Sequence, residues 1–158
     1  MKMKKILIHS LVFSPDSVST AYIYNDIALG LLKNGFDVVV LTSTPHYNLV
    51  VSEIEKQKIK RKCFGLYYKS IFNGIDVYHI PLKKYTKREN YIFSPALYGG
   101  FNINTHIKQY DLFNIHWVGG GFQSIDSIAK ITKPIILTLH DSWAFTGGCH
   151  IPYPCDKF

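Results

Sequence analysis

Two runs constrain the fold more than anything else in the chain: KILIHS at 5–10 and FDVVVLT at 36–42. Both are apolar with almost no alternation, the pattern of strands covered on both faces of a parallel sheet. Parallel neighbours need a crossover, and the intervening segment supplies one. After the loop LVFSPDSVST, Ile23, Ile27 and Leu31, flanked by Tyr24, Ala28 and Leu32, recur at helical spacing. Ser17 or Ser19 is available as N-cap, and Asn34-Gly35 is a stop. Strand, helix and strand in so short a span predict the βαβ unit of a doubly wound sheet.

The pattern then changes and returns. In LYYKSIFNGIDVYHI, Asn73-Gly74 between two strand-like runs predicts a type I′ hairpin, taken as an insertion in the sheet. SPALYGGFNINTHIKQY suggests a helix opened by Ser94 and Pro95, weakened by Gly99-Gly100. DLFNIHW is a strand, FQSIDSIAKI a short helix, and PIILTLH a final buried strand introduced by Pro134. With no repeat or linker visible, residues 1–158 form one domain, and the expected class is α/β: a Rossmann-like, doubly wound, mostly parallel sheet.

Composition excludes several alternatives. Apolar residues at 47% and charged residues at 18% argue against disorder. The longest apolar runs fall far short of the roughly 20 residues of a membrane span. The start, MKMKKILIHSLVF, has the basic and apolar parts of a signal peptide, but His9 interrupts the run and no small-residue cleavage site follows. Three cysteines make no disulfide framework and suit a reducing cytoplasm. The net charge of +7 peaks in EIEKQKIKRK and KKYTKR. Lys56, Lys58, Lys60, Arg61 and Lys62, interleaved with Ile54 and Ile59, suit an anionic membrane surface, or else form a solvated helix face. No nucleic-acid motif is present, and the aromatics follow core or site positions, so nucleic acid is not an expected partner.

Ligands of an open parallel sheet bind beyond the carboxyl ends of its strands. The expected loops there hold His9, His46, His116, His140 and His150, five of the seven histidines. His140 directly follows a strand and precedes Asp141, which can orient its imidazole. Gly119, Gly120 and Gly121 before a helix can cradle an anion or simply make a tight turn; the dinucleotide fingerprint is absent. Cys149 and Cys155, beside His150, are candidates for half of a metal or disulfide site but fall short of a zinc signature.

The stretch HWVGGGFQSIDSIAKITKPIILTLHDSWAFTGGCHIPYPCDKF, above all TLHD to TGGCH, resembles the N-terminal half of bacterial family 4 glycosyltransferases of the GT-B fold. The opening ILIHSLVFSPDSVSTAYIYNDIALGLLKNGFDVVVLTSTPHYN and the hairpin region look like such enzymes of capsule, O-antigen and exopolysaccharide pathways. The resemblance implies the acceptor-side domain of a two-domain enzyme that transfers a sugar, with retention, from a nucleotide-sugar donor to a lipid-linked or growing polysaccharide. No metal or other cofactor is needed for that chemistry. The implied place is the cytoplasm, peripheral on the inner face of the plasma membrane. The second domain, which holds most of the donor, is not in this sequence, and a relative would continue past Phe158 toward further cysteines. A chain without that half can act instead as a sugar- or acceptor-binding module only.

By the same resemblance, His140 is the catalytic candidate, lying beside the donor sugar. Ser14, Ser17, Ser19 and Thr20 belong to the loop that closes over donor diphosphate or acceptor, although SPDSVST stands where many relatives have a Gly-Gly pair. His116, Trp117 and Gly119 to Gly121 match the acceptor-side wall. Asp141 belongs to the same site, and Trp143 and Phe145 offer stacking faces for sugars.

Overall fold

A computed structural model describes residues 3–82, 107–117, 119, 122–146, 149 and 151. Seven strands form one sheet: β1 (Lys5–His9), β2 (Asp37–Ser43), β3 (Lys60–Lys62), β4 (Tyr67–Phe72), β5 (Ile75–Ile80), β6 (Leu112–Ile115) and β7 (Ile135–Leu137). Their order is β3-β4-β5-β2-β1-β6-β7. Strands β5, β2, β1, β6 and β7 are mutually parallel, while β3 and β4 extend the sheet antiparallel. Taken in chain order, the parallel strands run third, second, first, fourth, fifth, which is the Rossmann-like arrangement with its switch point between β1 and β6.

The two founding runs are neighbours, in register from Lys5 opposite Asp37 to His9 opposite Leu41. Their apolar residues are covered on both faces, and Ile8, Val40, Val77, Phe113 and Ile115 are fully buried at the centre. Helix α1 (Ser19–Lys33) makes the crossover between them. The buried side chains of α1 are Ala21, Tyr24 and Ala28, whereas Ile23 faces solvent, so the covered stripe sits to one side of the 23, 27, 31 line. Neither serine caps α1: Val18 holds the N-cap position with no side-chain bond, and Ser19 is already helical. At the other end Asn34 Nδ2 donates to the Gly30 carbonyl at 2.8 Å, and Gly35 takes φ of 83° to leave the helix. Helix α2 (Val51–Gln57) follows β2, and α3 (Ile125–Ala129) follows β6, capped by the Ser124 side chain accepting from the Ser127 N–H.

Asn73 and Gly74 both have positive φ, 47° and 87°, and Phe72 pairs with Ile75 across them. This is the backbone of a type I′ turn, which matches the twist of the strands it joins. The pair is not a separate insertion, because β5 is itself the third parallel strand, bonded to β2 from Val39 opposite Asp76 onward. Only β3 and β4 are added. The last strand also departs from expectation: β7 spans three residues, all exposed, at the open edge of the sheet. A non-alternating apolar run marks a strand with two apolar faces, but burial depends on what packs against it, and Ile135, Ile136 and Leu137 are only about half covered. The helix expected from Ser94 lies outside the described residues. No helix among the described residues is long and apolar enough to cross a membrane.

Candidate functional site

All five parallel strands end on one rim, and the switch point there opens a cleft of about 240 Å³ lined by Leu11, Val12, Val18, Thr20, Tyr24, Tyr47, Trp117 and His140. The loops that form it are tied to each other by backbone bonds. The Leu11 N–H donates to the Trp117 carbonyl at 3.2 Å, and the Ser17 N–H to the Tyr47 carbonyl at 3.2 Å. Asp16 fastens the loop after β2, its Oδ1 accepting from the N–H groups of His46 at 2.7 Å and Tyr47 at 2.8 Å. Burial raises the Asp16 carboxyl above its ordinary range, and those backbone donors offset part of the rise.

Three side chains from separate elements meet at the cleft. His140 Nε2 lies 3.0 Å from the Tyr24 hydroxyl and 3.1 Å from His116 Nδ1. The Tyr24 ring packs 4.2 Å from the His116 ring. His116 is buried and His140 exposed, so the inner ring orients the outer one. Burial, reinforced by the charges of His140 and His9, holds the His116 pKa at about 4. His140 is also lowered by burial, partly countered by Asp141. Burial and Asp141 push the Tyr24 hydroxyl up to about 12. Near pH 7 all three are therefore neutral, and the cluster works as hydrogen-bonding groups rather than as fixed charges.

One proton lies between the two imidazoles. His116 Nε2 is buried without a hydrogen-bond partner, and an orphaned lone pair is less costly to bury than an orphaned N–H. This assigns the proton of His116 to Nδ1, so that His116 and the Tyr24 hydroxyl share the one lone pair of His140 Nε2 as donors. His140 then carries its own proton on Nδ1 and is a donor. His9 sits behind them, fully buried, its ring 4.8 Å from Phe122; burial holds its pKa at about 4 despite the Leu41 carbonyl and Gln123 beside it.

The other expected residues divide. Thr20 and Trp117 line the cleft. Ser14 is buried and its hydroxyl is taken by Gln57 Nε2. Ser17 Oγ lies 2.6 Å from the Tyr22 hydroxyl, and Ser19 is exposed at the start of α1. Asp141 Oδ1 accepts from the Trp143 N–H at 2.9 Å, which shapes the turn after β7. Trp143 is buried beside His116 and His140, whereas Phe145 projects into solvent. Gly119 is buried. Gly120, Gly121, His150 and Cys155 lie outside the described residues, and the Cys149 carbonyl accepts from the Thr146 hydroxyl at 2.6 Å. Two contributors escaped the sequence reading. Tyr24 looked like a flank of an apolar stripe, and Asp16 was an unremarked member of the loop LVFSPDSVST; a tyrosine one turn into the helix after β1 was the available signal.

No family model matches the chain, and a search of curated proteins finds none that matches. The fold and the rim geometry define a Rossmann-like α/β domain with a neutral, hydroxyl-compatible cleft.

Proposed function

We propose that this chain is the acceptor-side domain of a GT-B glycosyltransferase, moving a sugar with retention from a nucleotide-sugar donor to a lipid-linked or growing polysaccharide acceptor. The observation that carries the reading is His140 held at the mouth of the switch-point cleft by Tyr24 and His116, in the stretch TLHD that carries the resemblance. A neutral imidazole donor suits a sugar hydroxyl or ring-adjacent oxygen whose partial charge changes as an oxocarbenium-like transition state forms. Trp117 gives the cleft an apolar wall for a pyranose face. The start of α1 supports an anionic group nearby, since its first turn has no acidic residue and no side-chain cap. The reading places the protein in the cytoplasm at the inner membrane face, with Lys56, Lys58, Lys60, Arg61 and Lys62 toward anionic lipid. No metal or other cofactor enters it.

The test is transfer of label from a panel of nucleotide sugars to a bacterial lipid extract, by this domain joined to a donor-binding GT-B half, with and without His140→Ala. Turnover at least tenfold lower in the variant is expected, and equal rates would remove His140 from the reaction. If neither protein turns over, nucleotide sugars and glycans are titrated against the histidine resonances. Shifts at His116 and His140 alone then favour a binding module.

A further inference from the structure

Where β3 turns into β4, the backbone does something unusual. Cys63, Phe64 and Gly65 all have positive φ, 44°, 56° and 96°, within one 3-10 turn. For Cys63 and Phe64 this conformation costs of order 1 kcal/mol each, and such strain persists only where the surroundings enforce it. Here Arg61 does so: its Nη2 donates to the Phe64 carbonyl at 2.7 Å, and its guanidinium occupies the space beside Gly65, where a Cβ would meet Nε at 2.7 Å. The result is a phenylalanine held entirely in water, 101% exposed, with Leu66 beside it at 75%. Neither contributes to the core.

Cations lead up to these apolar groups along β3. Strand β3 is Lys-Arg-Lys with every residue exposed, and Lys58 precedes it. Lys56 pairs with Glu53 and Lys69 with Asp76, but Lys58, Lys60 and Lys62 have no ion pair among the described residues. Register fixes where the tip points. Lys62 pairs with Tyr67, and Tyr68 pairs with His79, next to the carboxyl end of β5. The tip therefore projects from the same rim as the cleft, four strand spacings away, or about 20 Å.

We propose that this turn is a membrane-docking tip: Phe64 and Leu66 enter the interface of an anionic bilayer, and Lys58, Lys60 and Lys62 hold its phosphate headgroups. A row of unpaired cations ending in an apolar point is complementary to a surface that is anionic outside and apolar a few ångströms below, which a lipid interface provides. Docking by this tip turns the cleft toward the membrane, so the acceptor is a glycan anchored in lipid and met at headgroup level. That last step rests on the sugar-transfer reading, while docking itself does not.

The experiment is flotation of the whole chain with phosphatidylcholine vesicles, with or without phosphatidylglycerol, together with the fluorescence added by Phe64→Trp. Binding to the anionic vesicles only is expected, with a blue shift and quenching by brominated lipid. Phe64→Ser lowers vesicle affinity about tenfold with an unchanged melt, since an apolar side chain fully buried contributes about 1.5–3 kcal/mol. Lys58→Glu, Lys60→Glu and Lys62→Glu together lower it by about a hundredfold or more, each lysine near an anionic surface supplying about fivefold. Binding that Phe64→Ser leaves intact, equal binding to neutral vesicles, or tighter binding to an oligonucleotide than to vesicles would overturn the proposal. Docking without any sugar transfer, once the chain is joined to a donor-binding domain, defeats the enzymatic reading alone. Full transfer by Phe64→Ser to a vesicle-borne acceptor defeats the docking tip alone.

Discussion

Acidification from pH 7 to pH 5 is expected to lower the stability of the fold by about 4 kcal/mol through two buried histidines. His9 and His79 are both fully buried, and burial holds each pKa at about 4 against an ordinary 6.5. His79 is fixed as a neutral ring: its Nδ1–H donates to the Ser43 carbonyl at 3.3 Å, and its Nε2 accepts from the Ser70 hydroxyl at 2.8 Å. A pKa depressed on folding means that the unfolded chain binds protons the folded chain refuses. Their contribution is thus complete above pH 6.5, is lost as pH falls through 6.5 toward 4, and levels off below 4. At pH 5 each ring accounts for about 2 kcal/mol, against a total of about 5–15 kcal/mol for an ordinary domain. His116 acts in the same sense, and the raised carboxyl of Asp16 in the opposite one. Urea unfolding followed by far-UV circular dichroism at several pH values between 7.5 and 5 measures the loss. His79→Gln should remove about half of the two-ring term. Stability that stays flat across this interval, or a pH dependence unchanged in His79→Gln, would refute the reasoning.

Long-range proton–nitrogen spectra near pH 7 should show His140 in its Nδ1–H form. His116→Gln combined with Tyr24→Phe should return it to the mixture of free imidazole, whereas Tyr24→Phe alone should leave it in that form, because the His116 N–H remains on Nε2. Gly74→Ala should destabilise the protein by about 1 kcal/mol in the same urea assay: the site has room for a methyl group, and the penalty is the positive φ of 87° alone.

How far the sequence could be read depended on which kind of signal each element carries. KILIHS and FDVVVLT are long, apolar and unbroken, and both became central parallel strands, each offering apolar side chains to both faces of the sheet. Asn73-Gly74 was legible for a different reason: few residue pairs tolerate two positive φ angles. PIILTLH looked the same as the central strands yet became an exposed edge, since sequence records what a strand offers for packing and not whether a partner arrives. The cap of α1 was misplaced between two serines because the Tyr22 hydroxyl engages Ser17, leaving Val18 at the boundary. At the rim, strand ends pointed to His9, His116 and His140 together. Tyr24 did not show, because its ring belongs to the core while its hydroxyl belongs to the cleft, and an apolar stripe registers only the ring.

The Tyr24 to His140 contact joins groups separated by 116 positions. Sheet pairings such as β1 with β2, or β4 with β5, close far shorter loops and can form while later segments are still being synthesised. The Tyr24 to His140 contact is consequently expected among the last this polypeptide forms, and its presence reports that α1 has already been placed against the later strands. A copy stalled before β6 holds β1 to β5 but lacks both histidines of the rim cluster, so that cluster marks a completed chain rather than a completed sheet.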